Sequence, residues 1–250
     1  MNPNLAHNTW PQIKDALASG RPVVAILPLG ATEAHGLHLP LNTDVIISEG
    51  MAQYAVPALD EAGIAAFILP TLAYAPAEYA AAFPGTVSIS AASAKAVMLD
   101  IARSLHGQGF ACLALANSHF DPANVAMLRE VAAEIAGLGM KLAFPDFTRR
   151  KLAATLTAEF QSGACHAGQF ETSLVMASRP ELVDEAARMQ SADNPASLTE
   201  AFTKGARTFA EAGGPQAYFG YPRQATPEEG VTTYEALAAA LVEAIRGAVG

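Results

Sequence analysis

Four ionisable side chains lie close together in the stretch LPLGATEAHGLHLPLNTD at residues 27–44: Glu33, His35, His38 and Asp44. Two carboxylates and two imidazoles in one loop are unfavourable to remove from water unless a positive charge lies among them. Imidazole and carboxylate are the ligands that Zn, Mn and Fe accept in proteins. This stretch therefore predicts a site for a divalent metal ion.

A second pair of candidate ligands, His119 and Asp121, lies in the stretch NSHFDPAN, directly after the apolar run FACLALA. The two residues have the same spacing as Glu33 and His35, and an apolar run also precedes that first loop. Loops at the carboxyl ends of parallel strands carry the chemistry of open α/β sheets. The two loops together could supply four or five ligands, and one carboxylate could bridge two ions about 3.5–4 Å apart.

A third group occurs in CHAGQFETS at residues 165–173. His166 could act as a general acid or base, because the ordinary pKa of histidine, about 6.5, suits proton transfer at neutral pH. The alternative is that His166 only bonds a carbonyl group and that Glu171 only interacts favourably with a helix dipole. Cys165 is interpreted as a small buried apolar residue rather than a nucleophile.

Strand-like and helix-like segments alternate along the chain, which predicts a mostly parallel sheet with helices on both faces. We expect one α/β domain over residues 1–250, built as an α/β/α sandwich. Residues 191–223 are expected to form an irregular segment that covers part of this domain. The predicted strands are 22–29, 65–69, 110–116 and 141–147. The predicted helices are 45–62, 90–108, 122–138, one beginning at 171, and 237–248.

The composition excludes several classes of function. The chain has 250 residues, 51% of them apolar and 16% charged, and a net charge of −9. The acidic balance argues against nucleic acid as a partner, and no apolar run is long enough to span a membrane. No phosphate-binding loop and no GxSxG nucleophile motif is present. Sparse charge predicts an apolar surface that is covered in a homo-oligomer.

The cellular setting is predicted from the cysteines and from the first residues. Cys112 and Cys165 are the only two cysteines, too few for a disulfide scaffold. Residues 1–20 lack the basic-then-apolar pattern of a signal peptide. We therefore expect a reducing, cytoplasmic setting.

Five segments together resemble the creatininase family of metal-dependent amidohydrolases. They occur in the order found in that family and cover most of residues 20–235: PLGATEAHGLHLPLNTD, FPGTVSIS, NSHFDPAN, HAGQFETSL and GYPRQATPEEG. The resemblance implies an α/β/α sandwich, a site for two divalent ions (Zn, Mn or Fe) and often a hexamer built as a trimer of dimers. It further implies these metal ligands: Glu33, His35, Asp44 in the bridging position, and His119.

The same resemblance implies roles for the remaining site residues. His166 corresponds to the histidine implicated in proton transfer, and Glu171 to the acidic residue of the ETS motif. Creatininases carry an acidic residue two positions after the histidine of the second cluster, and Asp121 fills that position with a shorter side chain than glutamate. Asp121 is expected as the fifth metal ligand and Glu171 as a catalytic residue beside His166, with Glu171 as the alternative for the fifth ligand. His38 and Ser118 are expected to orient ligands or contact substrate.

The expected reaction is hydrolysis of a non-peptide C–N bond, in a cyclic amide or a formamide, by a metal-activated water. Creatininases have aromatic cover over the substrate, including tryptophan, but this chain has only Trp10, near its start. Creatinine itself is therefore not the expected substrate, and Phe120, Tyr79 and Phe170 are the candidates for other aromatic cover. Two alternatives stay open: an iron-dependent redox or lyase enzyme, and a metal-binding protein without catalysis.

Overall fold

The computed structural model describes all 250 residues, and at its centre lies a parallel sheet of four strands. These are β1 (Val23–Leu29), β2 (Ala65–Ile68), β3 (Cys112–Asn117) and β4 (Lys141–Ala143), in the order β2-β1-β3-β4. The chain moves from β1 to one side for β2 and to the other side for β3. The carboxyl ends of β1 and β3 therefore border the crevice where open α/β sheets bind ligands. Leu29 pairs with Asn117, so the two strands end at the same level.

Ten α-helices surround the sheet, joined by four short 3-10 helices at Leu5–His7, Glu78–Ala80, Pro180–Leu182 and Pro222–Gln224. None of the helices combines the length and the hydropathy needed to cross a membrane. The helices are α1 (Trp10–Leu17), α2 (Thr43–Glu61), α3 (Ala91–Gln108), α4 (Pro122–Gly137), α5 (Arg150–Ala153), α6 (Ala158–Ser162), α7 (Gln169–Ser178), α8 (Glu185–Gln190), α9 (Leu198–Thr203) and α10 (Pro227–Val249).

The sheet is buried on both faces, as the apolar character of its strands predicts. On one face Val24 and Ile26 belong to a core that includes side chains of α2, α7 and α10. On the other face Ala25 and Leu27 belong to a core with side chains of α1, α3 and α4. The predicted three-layer α/β/α architecture with a parallel sheet is thus confirmed.

Two predicted boundaries were wrong. Strand β4 ends at Ala143 instead of residue 147, because Pro145 has no N–H group to donate to a ladder. Helix α10 begins at Pro227 instead of residue 237. The sequence carries the usual signals for that start, since the Thr226 side chain accepts a hydrogen bond from Glu229 N and proline occupies the first turn.

The segment at 191–223 covers the carboxyl edge of the sheet, as predicted. Phe209, Ala217 and Phe219 form a small core with Ala34 of the loop after β1 and Ala164 of the loop after α6. This cover encloses the loops that carry the candidate ligands.

Gly30 lets the end of β1 approach the first turn of α2. A Cβ at this position would lie 2.7 Å from Val45 N and 2.8 Å from the carbonyl carbon of Asp44. We expect Gly30→Ala to lower the free energy of unfolding by about 1–3 kcal/mol, because backbone atoms must move to admit the methyl group. Denaturant unfolding measures the change.

Gly107→Ala is the control for that substitution. Gly107 lies in α3, is exposed, and a Cβ there would have no neighbour within 4 Å. We expect this change to leave stability unchanged or to raise it by up to about 1 kcal/mol, the helix propensity difference between glycine and alanine. Equal effects of the two substitutions would contradict the close approach at Gly30.

Candidate metal centre

Six ionisable side chains are buried together at the crevice between β1 and β3, each less than 9% exposed. They come from the loop after β1, the first turn of α2, the loop after β3, and the turn that begins α7. The six are Glu33, His35, Asp44, His119, His166 and Glu171. The structure therefore brings together candidates from all three sequence segments.

Asp44 lies between two histidines. Its Oδ1 is 3.3 Å from His35 Nε2, and its Oδ2 is 2.9 Å from His119 Nδ1. Oδ2 also accepts a hydrogen bond from Ala31 N at 3.2 Å. Asn42 is the N-cap of α2, so Asp44 stands inside the first turn, where the helix dipole favours its negative charge. Each carboxylate oxygen therefore faces a different imidazole.

The ligand atoms form three sets of three, and within each set all atoms lie within 4.8 Å of one another. Two of the sets share Asp44: one is Glu33, Asp44 and His119, and the other is His35, Asp44 and Glu171. The third set is Glu33, His35 and His166. Glu33 Oε1 is 3.2 Å from His119 Nδ1, and Glu171 Oε2 is 3.5 Å from His35 Nε2. This is the arrangement expected of a carboxylate that bridges two ions.

Three histidines have their outer ring nitrogen bound to a backbone carbonyl. A carbonyl can only accept, so that nitrogen carries the proton and, in the neutral ring, the other nitrogen directs its lone pair at the carboxylates. The three bonds are His35 Nδ1–H to Glu33 O (3.1 Å), His119 Nε2–H to Pro76 O (2.7 Å) and His166 Nε2–H to Ala34 O (2.9 Å). Each ring is thus oriented so that its other nitrogen points into the cluster.

The three buried carboxylates of the cluster, Glu33, Asp44 and Glu171, need a compensating positive charge. Burial acts to lower the pKa of His35, but Asp44 and Glu171 outweigh it and raise this pKa to about 10. Burial, with the negative charge of Asp44, raises the pKa of Glu171 to about 8. His35 Nε2 is buried beside carboxylate oxygens and has no hydrogen-bond partner. This orphaned nitrogen and the mixed nitrogen and oxygen donor set fit a divalent metal.

His166 lies at the edge of the cluster. Its ring stands 4.3 Å from the ring of His35 on one side and 4.3 Å from that of Phe209 on the other. Nδ1 is 3.9 Å from Glu33 Oε1. Burial and the nearby His35 lower the pKa of His166 to about 4, so the ring is neutral near pH 7. A neutral ring with a free Nδ1 can accept a proton.

Asp121 occupies a different position from the other candidate ligands. Its Oδ1 accepts a hydrogen bond from Ala123 N at 2.8 Å and caps α4, while Oδ2 is buried and has no partner. Neither oxygen belongs to any of the three convergent sets of ligand atoms. It is Glu171, rather than Asp121, that the fold brings beside His35 and Asp44.

His38 and Ser118 support the cluster from outside. His38 Nε2 is 2.9 Å from the hydroxyl of Thr172, the residue after Glu171. Ser118 Oγ donates to the carbonyl oxygen of Asp44 at 2.6 Å. Neither side chain lines the cavity that leads to the cluster.

The sequence analysis missed two asparagines in the second loop. Asn117 and Asn124 each donate a side-chain N–H to the carbonyl oxygen of His119, at 2.8 and 2.9 Å. Both lie in or beside the NSHFDPAN stretch, so a polar side chain at the end of an apolar strand was the available signal.

Glu159, a buried residue of α6, also supports the site and was not predicted from the sequence. Its carboxylate accepts three backbone N–H groups, from Gln169 (2.8 Å), Phe170 (2.6 Å) and Tyr221 (2.7 Å). Burial raises the pKa of Glu159 to about 7, although the three hydrogen bonds act to lower it. Glu159 thereby ties the first turn of α7, which carries Glu171, to the covering segment.

A cavity of about 760 Å³ opens onto the cluster, and six of its 23 lining residues are phenylalanine or tyrosine. Tyr79 and Phe120, two of the predicted aromatic covers, line it. Phe170 does not, because its side chain is fully buried and packs against Phe160. Trp10 is 76% exposed and lies outside the cavity. The remaining aromatic residues of the lining are Phe147, Phe160, Phe202 and Phe209.

Fold and site together define a three-layer α/β protein with a buried site suited to divalent metal ions. The family model for creatininase, described as creatinine amidohydrolase, matches residues 6–245. The chain belongs to the creatininase family of amidohydrolases.

Individual relatives and solved structures agree with this assignment. Creatinine amidohydrolase of Pseudomonas putida is 30% identical over 196 residues, covering 70% of this chain and 72% of that one. Mycofactocin precursor peptide peptidase of Mycobacterium ulcerans (strain Agy99) is 29% identical over 231 residues, covering 89% and 80%. Creatininase in its Mn form superposes with a TM-score of 0.77 at 25% identity, covering 99% and 98%. A Zn–Zn form of a creatininase mutant gives 0.76 at the same identity and coverage.

The shared carboxylate of Asp44 makes a graded prediction for metal content. We expect about two ions per chain in the wild type, as in two-metal hydrolytic sites. Asp44→Ala removes a ligand from both sets that contain it and should lose both ions, and Glu171→Gln should lose one. Asp121→Asn should keep both. Elemental analysis of each purified protein after dialysis measures the ratio.

Asp60→Ala is the control, because Asp60 is an exposed carboxylate on the same helix as Asp44 and pairs only with Arg21. It should leave the metal content unchanged. Full metal content in Asp44→Ala would contradict the bridging position, and loss of an ion in Asp121→Asn would make Asp121 a ligand.

Proposed function

We propose that this amidohydrolase cleaves a non-peptide C–N bond, in a cyclic amide or a formamide, at a centre of two divalent metal ions. The observation that carries the proposal is the pair of ligand sets sharing Asp44, with a neutral histidine beside them. An open cavity reaches four side chains of the cluster, Glu33, His119, His166 and Glu171, whereas a purely structural metal site tends to have closed coordination.

Five side chains would hold the metals. Glu33, His119 and one oxygen of Asp44 would hold the first ion, and His35, Glu171 and the other oxygen of Asp44 the second. The mixture of imidazole and carboxylate suits Zn, Mn or Fe. When bound, such ions polarise a carbonyl group and lower the pKa of water from 15.7 towards about 7.

His166 is proposed as the residue that moves the proton. Its Nε2–H is bound to the carbonyl of Ala34, which holds the ring in one orientation. Nδ1 is then free to take a proton at the Glu33 side of the site and to give it to the leaving nitrogen of the amide. The ring of Phe209 covers the outer face of the imidazole and keeps bulk water from it.

Glu171 is proposed as a metal ligand and Asp121 as a residue that contacts substrate. The buried Oδ2 of Asp121 has no partner, and the residue lines the cavity next to Phe120 and Tyr79. His38 and Ser118 are proposed to hold Glu171 and Asp44 in place through Thr172 and the Asp44 carbonyl.

A second candidate reaction is hydrolysis of a peptide amide. Two observations favour it. The cavity, of about 760 Å³, is large enough for ligands much bigger than the five-membered ring of creatinine. One relative is named a peptide peptidase. Creatinine is the less favoured substrate, because no tryptophan lines the cavity.

We further propose that residues 1–250 act as one domain within a homo-oligomer, specifically a hexamer, in a reducing cytoplasmic setting. Support for an oligomer comes from exposed apolar side chains near the site loops, among them Leu37 (56%) and Tyr74 (54%). Both cysteines are free, which agrees with a reducing setting.

The proposal predicts different outcomes for His166→Ala and for the ligand variants. His166→Ala should lower kcat by about 10²- to 10⁴-fold, the usual contribution of a general acid or base, and keep its metal. Steady-state kinetics and elemental analysis on one preparation test both. His106→Ala, an exposed histidine at the end of α3, should change neither. Unchanged kcat in His166→Ala would remove it from the reaction.

The reaction class is tested by assaying the protein with a panel of cyclic amides, formamides and short peptides, with creatinine included. The protein is loaded with Zn, Mn or Fe(II), in air and without it. We expect turnover of a formamide or cyclic amide that is independent of oxygen and abolished by chelation. Turnover that requires oxygen would contradict the amidohydrolase proposal, and cleavage of peptides alone would favour the second candidate.

A further inference from the structure

The charged residues that line the cavity are segregated by sign. Its acidic residues, Glu33, Asp121 and Glu171, belong to the metal centre or adjoin it. Its two arginines, Arg129 and Arg150, are contributed by α4 and α5. Two arginines without a neighbouring acidic residue in the lining are unexpected in a chain whose net charge is −9. A ligand filling this cavity would meet opposite charges at two positions.

Helix α4 sets the separation between these two positions. Asp121 caps the helix, and Val125 and Arg129 follow at intervals of four residues, so all three lie on one face. Eight residues of α-helix rise about 12 Å. Arg129 therefore lies roughly two helical turns from the loop that carries His119.

The two arginines differ in their partners. Arg129 donates to Asp146 Oδ2 from Nε at 2.9 Å and from Nη2 at 2.8 Å, and also to Thr148 at 2.9 Å. The neighbouring Arg149 pairs with Asp146 as well, at 3.1 Å. Arg150 is an exposed residue that lines the cavity and forms no ion pair. The cavity thus has one fixed guanidinium, already compensated by Asp146, and one uncompensated guanidinium.

The uncharged part of the cavity lining is mainly apolar. It includes Phe120, Phe147, Phe160 and Val125, and Phe202 and Leu198 come from the segment that covers the cavity. Such a surface favours contact with an aromatic or aliphatic group and offers it few hydrogen bonds.

We propose that the substrate is an amide with a carboxylate at its far end, which Arg150 binds, and with an apolar or aromatic body in between. One uncompensated guanidinium matches a monoanion, and its planar fork matches the two oxygens of a carboxylate. The inference rests on the proposed function, since it takes the scissile amide to lie at the metal centre.

Binding of matched hydroxamates to the metal-loaded protein tests the inference without turnover. The hydroxamate end chelates the metal centre, and the far end of the ligand varies. The probes are 3-(4-carboxyphenyl)propanohydroxamic acid, its neutral 4-carbamoyl counterpart and its 4-phosphono counterpart. Isothermal titration calorimetry gives Kd for wild type, Arg150→Gln and Arg149→Gln. Arg149→Gln is the matched control. It removes the same charge from the neighbouring residue, whose side chain does not line the cavity.

We expect wild type and Arg149→Gln to bind the carboxylate about tenfold more tightly than the carboxamide, the usual gain from a charge-assisted hydrogen bond. Arg150→Gln should abolish that preference and leave carboxamide binding unchanged. Suppose that both probes bind. If wild type then shows no preference for the carboxylate, or if Arg150→Gln keeps that preference, the inference is wrong and the proposed function stands. Tighter binding of the phosphonate would overturn the carboxylate assignment. If no hydroxamate binds, the proposed function fails and the inference fails with it.

Discussion

The burial of the Asp44 carboxylate between two imidazoles is the constraint on which the rest of the site depends. Each oxygen faces a different histidine, His35 or His119, so the residue belongs to two of the sets of ligand atoms. A buried carboxylate needs hydrogen-bond donors or positive charge around it. Gly30 has no side chain, so the end of β1 can approach the first turn of α2, and there Ala31 N donates to Asp44 Oδ2.

The histidines are held by the backbone rather than by other side chains. Three carbonyl groups, each from a loop at the carboxyl edge of the sheet, fix which ring nitrogen carries a proton. The turn before α7 is itself strained: Ala167 has φ of 49° and donates its N–H to Glu171 Oε2 at 2.6 Å. Strain of this kind persists where the surroundings determine the conformation, and here it positions a proposed ligand.

The sequence predicted the architecture and the grouping of the candidate ligands, because both depend on local patterns. Buried strands are apolar runs, and polar clusters after β1 and β3 must meet at one edge of a parallel sheet. The role of Glu159 could not be predicted, since its three donors come from Gln169, Phe170 and Tyr221, the last of them 62 residues away. The placement of Arg150 at the cavity likewise depends on tertiary packing. Helix α10 was shortened in the prediction although its start signal, Thr226-Pro227-Glu228-Glu229, was present.

The family relationship and the geometry answer different questions. The relationship assigns the chain to the creatininase amidohydrolases, while the relatives' names cover both a creatinine amidohydrolase and a peptide peptidase. The cavity of this chain is lined by four residues of the shared site and by phenylalanines, with two arginines from α4 and α5. Our proposal assigns substrate choice to these phenylalanines and to Arg150.

The central claim is that Asp44 bridges two metal ions. Anomalous diffraction from crystals of the Zn- or Mn-loaded protein, recorded above and below the absorption edge of the metal, tests it most directly. The account predicts two peaks about 3.5–4 Å apart, one on each side of the Asp44 carboxylate. A single peak, or two peaks of which only one contacts Asp44, would contradict it.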